Sequence, residues 1–284
     1  MKIAVLVLAH KNLGQLNRLV SHLAQDFDVY VHIDKKSSIK VGQVVQSPNV
    51  FVHKKFKISW GSLEMVKATL HLMKESCSKG YGRYIVISGQ DLPLRNNKDI
   101  RDFFSENNSS EFISGLNLKF WDKGGLERVE YFHAPSPVGS HGLIRTNRLV
   151  LNYSMNLANR ALGVKRQSNW DFYCGSNWFD LSSRAVEAIL RHVSSNPEFI
   201  KRFRWTACCD EIFFQTALAL QGFEDKFQPS PLRYIDWKTG PEHPRTLRQS
   251  DLNELVHSEM LFARKFDQTV DPDIIDALYA RLQP

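Results

Sequence analysis

Two adjacent acids, Asp210 and Glu211, precede an apolar periodic stretch in the segment TACCDEIFFQTALALQGF, residues 206–223. This pattern predicts a helix that Asp210 caps and whose first turn contains Glu211. Complementing the helix dipole would be a sufficient structural role for both acids. A carboxylate fixed at a helix start also suits a general base, because it is ionised at neutral pH and the rigid helix orients it.

Two adjacent cations, Arg264 and Lys265, lie inside the apolar run EMLFARKFDQ, residues 259–268. Long basic side chains are poorly accommodated among Met, Leu and Phe unless an anion pairs with them. The segment therefore predicts an anionic partner for the two cations. The net charge of +7 also favours anionic partners, such as nucleotides, nucleic acid, lipid headgroups or acidic glycans, but does not choose among them.

The elements that must position these side chains follow a βαβ order. Strands are predicted at 2–10, 28–34, 49–54, 81–89 and 111–115, and helices at 13–25, 62–76 and 97–107. This order predicts an α/β protein with a Rossmann-like, mostly parallel central sheet flanked by helices. Ligands of such sheets bind outside the carboxyl ends of the strands, where the sequence places His10, Asp34, Ser88 and Asp91. The absence of G-x-G-x-x-G and Walker A motifs disfavours a dinucleotide dehydrogenase and a P-loop NTPase.

The second half of the chain is less regular. Residues 143–166 form a basic, amphipathic helical region, which is either a solvated helix face or a contact surface for an anionic acceptor or a membrane. Trp178 and Trp237 are predicted in loops, where tryptophan either packs or stacks on sugar rings. No apolar run reaches the roughly 18–20 residues of a membrane span, and the N-terminal MKIAVLVLAH is predicted as a strand rather than a signal peptide. The cysteines lack metal-site spacing, so we expect reduced thiols in a cytosolic protein.

Several segments occur together in one order: HIDKKS, SWGSLEMVKATL, YIVISGQDLPL, GSNWFDLS, DEIFFQTAL, LRYIDW, HPRTL and LFARKFD. Together they resemble the core-2/I-branching glycosyltransferase family, which contains β-1,6-N-acetylglucosaminyltransferases and peptide O-xylosyltransferases. The resemblance extends over nearly the whole chain and implies a GT-A glycosyltransferase fold. It also implies transfer from a UDP-sugar with inversion at the anomeric carbon and without the usual Asp-x-Asp metal site.

The resemblance assigns roles to individual residues. It makes Glu211 the catalytic base and makes Arg264 and Lys265 the cations that hold the donor diphosphate. It places Asp34 and Trp60 in the donor site, with Arg245 as a further diphosphate contact. On the acceptor side it places Trp237 and Arg128. We also expect His10 and Asp91 at the sheet rim to help fix the nucleotide, and Asn177 and Trp178 to shape the sugar pockets. Asn177 stands where xylosyltransferases carry Asp, so xylose is not assumed as the donor sugar.

The Asp-x-Asp triplets of this chain are poorly placed to bind a metal. DFD at 26–28 precedes the second strand, at the sheet edge away from the expected site, and DPD at 271–273 is typical of a helix N-cap followed by Pro. We therefore expect neither a metal nor another cofactor. Arg264 and Lys265 would instead stabilise the leaving diphosphate through charge-assisted hydrogen bonds.

The sequence thus predicts an inverting, metal-independent glycosyltransferase in a single GT-A domain, residues 1–284. Residues 1–115 form its nucleotide-binding half, and residues 116–284 form its acceptor-binding and catalytic half. The expected donor is UDP-N-acetylglucosamine or UDP-xylose, and the expected acceptor is a glycan or lipid-linked glycan of bacterial surface polysaccharide synthesis. We expect a cytoplasmic protein, with peripheral association at the inner membrane face and no nucleic-acid partner. The alternatives are a non-catalytic binder of anionic lipid or nucleic acid, an inactive glycosyltransferase homologue, and a nucleotidyltransferase.

Overall fold

The computed structural model describes residues 1–121, 125–134, 136, 142–163, 165–230, 232–241 and 244–282. The strands are β1 Ile3–Ala9, β2 Asp28–Ile33, β3 Val50–His53, β4 Arg83–Ser88, β5 Leu92–Pro93, β6 Leu116–Asn117, β7 Tyr173–Cys174, β8 Asp180–Ser182, β9 Arg233–Ile235 and β10 Phe262–Arg264. The helices are α1 Leu13–Leu23, α2 Leu63–Ser76, α3 Asn97–Glu106, α4 Glu127–Glu130, α5 Gly142–Leu162, α6 Ser183–Ser195, α7 Pro197–Arg202, α8 Phe213–Ala219, α9 Leu252–His257 and α10 Pro272–Leu282.

The central sheet has the strand order β3-β2-β1-β4-β8. Strands β1 to β4 are parallel to one another, and β8 lies antiparallel beside β4. Alternate residues of β1 point to opposite faces of the sheet, so that Val5 and Val7 pack with α1 while Leu6 and Leu8 pack with α2. The predicted α/β arrangement, a mostly parallel sheet flanked by helices, is confirmed and agrees with the GT-A fold that the resemblance implies.

A second, smaller sheet joins β5, β10 and β9, with β10 antiparallel to β5 and parallel to β9. A buried ion pair connects it to the central sheet. Arg233 on β9 donates from Nη2 to Asp180 Oδ1 at 2.6 Å and to the Val86 carbonyl at 3.0 Å. Because neither member of this ion pair is exposed to solvent, loss of one partner would leave a buried charge unpaired. The small sheet, and with it Arg264 at the end of β10, is therefore held against β4 and β8.

The strand predicted at 111–115 is the main difference in this part of the chain. Only isolated bridges form there, between Glu111 and Phe227 and between Phe112 and Asp180. The buried Glu111 side chain instead accepts hydrogen bonds from the nitrogen and the hydroxyl of Ser182, at 2.8 and 2.6 Å. The Ser182 nitrogen thus bonds to a buried carboxylate rather than to a backbone carbonyl of a regular strand.

The predicted basic helical region at 143–166 corresponds to α5. None of the described helices combines the length and apolar character that crossing a membrane requires.

Candidate active site

Two of the predicted donor residues follow the carboxyl ends of neighbouring parallel strands. His10 follows β1 and is exposed, whereas Asp34 follows β2 and is buried. The Asp34 carboxylate accepts from the backbone nitrogens of Lys36 and Ile58 at 2.9 and 3.1 Å. These bonds fix the loop after β2 against the segment that leads to Trp60. Asp34 therefore shapes the rim of the sheet, and its contact with the donor stays a prediction.

Asp91 and Arg264 form an ion pair at the same end of the sheet. Arg264 Nε lies 3.1 Å from Asp91 Oδ1, and the Asp91 side chain is fully buried. Ser88 Oγ donates to the same carboxylate oxygen at 2.5 Å. Burial lowers the pKa of Arg264, and the adjacent Asp91 carboxylate opposes that shift. The anion that the sequence demanded for Arg264 is therefore, at least in part, a carboxylate of the protein itself.

Trp178 and Asn177 connect Arg264 to the acidic pair. The Arg264 guanidinium carbon lies 4.3 Å from the centre of a Trp178 ring, which is cation–π geometry. Trp178 is buried, and its ring packs against this cation instead of facing solvent. The preceding residue, Asn177, donates from Nδ2 to Asp210 Oδ2 at 3.0 Å. Residues predicted separately from the sequence are thus joined through direct contacts.

The prediction that Asp210 caps a helix is wrong. α8 begins at Phe213, and the two acids occupy the preceding 3-10 turn, Cys209–Glu211. Asp210 is buried and accepts a hydrogen bond from Asn177, and among the described residues none in the first turn of α8 donates to its side chain. Tertiary packing has overridden the local helix-start signal.

Glu211 pairs with Arg128, which the family resemblance assigned to the acceptor site. Arg128 Nη2 donates to Glu211 Oε2 and to the Cys208 carbonyl, each at 2.8 Å, and Arg128 Nε donates to the Ala207 carbonyl at 3.2 Å. One guanidinium therefore fixes both the turn and the carboxylate. Because 35% of the Glu211 side chain stays exposed, a substrate hydroxyl can still reach it.

The two neighbouring carboxyl groups lie in different environments. Burial, and secondly the adjacent Glu211 charge, raise the pKa of Asp210 to about 7, and the Asn177 hydrogen bond and the Arg128 charge act in the opposite direction. Asp210 Oδ1 is buried and has no hydrogen-bond partner among the described residues. Asp210 therefore resists ionisation behind the turn, whereas Glu211 faces outward beside a cation.

A cavity of about 650 Å³ adjoins this turn, and Trp60, Gly61 and Cys208 form part of its wall. Its polar lining includes Lys67, Lys201, Arg204, Asn152, Asn156 and Glu64. Trp60 is 48% exposed and so offers a ring face to a ligand. The cavity adjoins the Glu211–Arg128 pair, because the Cys208 carbonyl accepts a hydrogen bond from Arg128. The structure thus places Trp60 in the same cavity wall as Cys208, the residue before the turn that carries Glu211, and the assigned donor role of Trp60 stays a prediction.

Arg245 lies in a separate network, and Trp237 follows one member of that network, Asp236, in the sequence. Arg245 donates to Asp236 at 2.7 Å and to both carboxylate oxygens of Asp251 at 2.9 Å. Two carboxylates already balance its charge, so a diphosphate would have to share this arginine with them. Trp237 is 56% exposed. The carbonyl of the half-buried Lys265 accepts from Leu247 nitrogen at 2.9 Å, which connects this network to the end of β10.

The Asp-x-Asp triplets have structural partners. Asp26 pairs with Arg101 at 2.8 Å, and Asp28 pairs with Lys2 at 3.1 Å, both at the end of β2 opposite to the Asp34 rim. Asp271 accepts from Ile274 nitrogen at 3.2 Å at the start of α10, as a helix cap does. Across the part of the chain that the structure describes, no group of three or more His, Cys, Asp and Glu side chains is arranged to hold a metal ion.

Sequence reasoning missed the structural importance of Cys208 and Gly61. Cys208 has a φ of 45°, a left-handed conformation that a residue with a side chain rarely adopts. Gly61 has a φ of 67°, and a Cβ added there would lie 3.1 Å from the Cys208 Cα. Gly61 also accepts a hydrogen bond from Cys209 nitrogen at 3.2 Å. The glycine in SWGS thus allows the backbone at position 61 to approach the turn that carries Glu211. The glycine itself is the sequence signal that could have indicated this contact.

Comparisons with known proteins identify the family of this chain. The profile of the Core-2/I-Branching enzyme family matches residues 3–261. The chain is 25% identical to mouse N-acetyllactosaminide beta-1,6-N-acetylglucosaminyl-transferase, with 99% of this chain and 72% of that protein covered. It is 24% identical to rat xylosyltransferase 2, with 98% of this chain covered, and spans about a third (33%) of that relative's length.

Two solved structures are also similar in part. A protein described as mannose-1-phosphate geranyltransferase from Thermus thermophilus aligns with a TM-score of 0.34 and 14% identity, over 77% of this chain and 68% of that one. A putative glucose-1-phosphate thymidylyltransferase from Bacillus anthracis aligns with a TM-score of 0.32 and 10% identity, over 66% and 74%. The family match, which covers most of the sequence, is decisive: this chain belongs to the Core-2/I-Branching enzyme family and is a glycosyltransferase.

Proposed function

We propose that this glycosyltransferase transfers a sugar from a UDP-sugar to a hydroxyl group of a glycan, with inversion and without a metal. The observation that carries the proposal is a series of three contacts: Asp91 with Arg264, Arg264 with Trp178, and Asn177 with Asp210. Because Trp178 follows Asn177 and Glu211 follows Asp210 in the sequence, the series runs from Asp91 to Glu211. It connects Arg264, which Asp91 holds at the end of β10 next to Lys265, with a partly exposed carboxylate suited to a general base. An inverting transfer needs a cation at the leaving group and a base at the acceptor, on opposite sides of the sugar.

In this mechanism Glu211 accepts the proton of the acceptor hydroxyl while the hydroxyl oxygen attacks C1 of the donor sugar. The bond between C1 and the diphosphate breaks on the opposite face, and the electron pair leaves with UDP. Arg264 and Lys265 stabilise the negative charge that develops on the diphosphate, which is the role of a divalent ion in other enzymes. Arg128 holds the Glu211 carboxylate in place through the bonds described above.

The donor follows from the resemblance and from two relatives with N-acetylglucosaminyl or xylosyl transfer in their names. UDP-N-acetylglucosamine is the first candidate and UDP-xylose the second. His10, Asp34, Trp60 and Arg245 are the proposed donor contacts, and the buried Asp91 would act through Arg264. Arg128, Asn177 and Trp237 are the proposed sugar contacts, and the buried Trp178 would shape the sugar pocket through its packing on Arg264. We further propose that residues 1–284 act as one catalytic domain, with a nucleotide-binding half at 1–115. Its place would be the cytoplasmic face of a bacterial membrane, in synthesis of surface polysaccharide from a glycan or lipid-linked glycan acceptor.

The test is a screen of UDP-sugars for UDP release, with and without EDTA, on the wild type and Glu211→Gln. We expect turnover with UDP-N-acetylglucosamine or UDP-xylose that survives chelation and disappears in the variant, because the amide cannot accept the proton. Loss of turnover on chelation alone would contradict metal independence. Unchanged turnover in Glu211→Gln would contradict the assigned base, and a wild type inactive with every UDP-sugar would favour an inactive homologue.

A further inference from the structure

The helix α5 (Gly142–Leu162) contacts the rest of the protein along one edge. Asn159 is buried and donates to the Phe132 carbonyl at 2.8 Å. Arg148 donates to the Ser136 carbonyl at 2.9 Å and to Ser59 Oγ at 3.1 Å. Two further residues on the protein-facing side, Asn152 and Asn156, line the cavity beside Trp60. This edge of α5 therefore forms one wall of the cavity next to the Cys209–Glu211 turn, named the catalytic turn below because it carries the proposed base.

The opposite side of α5 exposes large apolar side chains. Leu143, Val150 and Leu157 are 80%, 59% and 58% exposed, and their seven-residue spacing places them on one stripe of the helix. Further exposed apolar residues on the same helix are Ile144, Leu149, Leu151, Tyr153 and Leu162. A surface that concentrates so many apolar side chains on one helix marks an interaction site.

The charge around this helix selects the partner. Between Glu130 and Asp171 the sequence contains no acidic residue, whereas it contains Arg145, Arg148, Arg160, Lys165 and Arg166. Of these, Arg145 is exposed and Lys165 is half-exposed beside Glu130, whereas Arg148 and Arg166 donate to carbonyls of the protein body. Helices that lie flat in a membrane interface combine an apolar face with basic flanks, which are attracted to an anionic leaflet. In a pairing of α5 with α5 from a second copy, Arg145 of each helix would find no acid on the other helix to offset its charge. Anionic phospholipid is the complementary partner.

We propose that the outer face of α5 lies in the headgroup region of an anionic phospholipid membrane. The opposite edge of α5, which lines the cavity, would then guide a lipid-linked acceptor to the catalytic turn. The second part rests on the proposed function, because it requires Glu211 to act on a glycan hydroxyl. The first part depends only on the apolar stripe and the charge. The membrane would then hold the acceptor lipid while its glycan enters the cavity past Asn152 and Asn156.

The experiment compares co-sedimentation with vesicles of phosphatidylcholine alone and of phosphatidylcholine with phosphatidylglycerol at about seven to three. The test variant is Leu143→Ser/Val150→Ser/Leu157→Ser. The matched control is Val41→Ser/Leu116→Ser/Val270→Ser, which removes as many exposed apolar residues away from α5. We expect the wild type and the control to bind the anionic vesicles, less so at high salt, and the test variant to bind about tenfold or more weakly. Thermal unfolding of both variants checks that these surface changes leave the fold intact.

Two results would overturn the proposal: a wild type that binds neither vesicle, or a test variant that binds as well as the control. Sedimentation velocity tests self-association as the alternative. If the wild type is a dimer, the test variant is a monomer and neither binds vesicles, the outer face of α5 is a self-association surface. UDP release from UDP-N-acetylglucosamine without vesicles is measured in parallel and should be the same in all three proteins. Vesicle binding without any UDP release would contradict the proposed function and leave the membrane contact standing.

Discussion

Asn177 donates a hydrogen bond to Asp210, Nδ2 to Oδ2 at 3.0 Å, directly behind the turn that presents Glu211. The other oxygen of Asp210, Oδ1, is buried without a hydrogen-bond partner among the described residues. The amide therefore provides the side-chain hydrogen bond to a carboxyl group that burial disfavours as an anion. The neutral side chain at position 177 thus contributes to the environment of Asp210, immediately behind the proposed base.

Replacing Asn177 with Asp should destabilise the protein more at high pH than at low pH. The change places a second carboxyl group about 3 Å from Asp210, where two like charges cannot both be ionised without cost. At pH 5 one shared proton satisfies the pair, and at pH 8 both groups tend to ionise. We expect a loss of about 1 kcal/mol or less at pH 5 and about 2–3 kcal/mol at pH 8. Urea unfolding at the two pH values measures this, and an equal loss at both would refute the shared-proton interpretation.

Asp210→Asn should relieve a pH-dependent loss of stability in the wild type. The folded pKa of about 7 lies above the ordinary value of 3.8, so the folded state binds the proton more tightly than the unfolded state. Its contribution is complete below about pH 4 and is lost as the pH rises towards 7, by up to about 4 kcal/mol. The unfolding free energy of Asp210→Asn relative to wild type should therefore increase from pH 4 to pH 7. A constant difference across this range would show that Asp210 does not titrate there.

Lys265→Ala should lower the turnover for UDP release by about a hundredfold or more, roughly 3 kcal/mol of transition-state stabilisation. The reason is the loss of one of the two cations proposed to stabilise the leaving diphosphate, at a half-buried position. Lys238→Ala, which removes an exposed lysine from the loop after β9, is the control and should keep wild-type turnover. Turnover within a few fold of wild type in Lys265→Ala would remove Lys265 from the mechanism.

Arg128→Gln should reduce turnover by about 10-fold to 100-fold, because Glu211 and the carbonyls of Ala207 and Cys208 lose their common donor. Arg128→Lys retains the charge without the planar fork and should give an intermediate value. Single-turnover kinetics separates the chemical step from binding. If the two variants lose only substrate affinity, with the chemical rate unchanged, Arg128 contacts the acceptor and does not position Glu211.

The sequence was most informative where local periodicity decides the structure. The patterns at 2–10 and 13–25 predicted β1 and α1, because strand alternation and helical spacing already mark their buried faces. The resemblance supplied the candidate residues. Their mutual contacts were not predictable: Asp91 and Arg264 are far apart in sequence, and their ion pair exists only because β10 packs beside β5. The failed cap at Asp210 has the same origin, since Asn177 on a different segment outcompetes the local helix signal.

The antiparallel strand β8 has a consequence for any truncated form of the chain. Residues 180–182 cover the side of β4 that β1 leaves open, with Ser182 opposite Arg83 and Asp180 opposite Ile85. A fragment that stops before them would present β4 as a bare edge whose apolar side chains and unpaired amides recruit strands from other molecules. The nucleotide-binding half alone would therefore aggregate before it could serve as a miniature UDP-binding module.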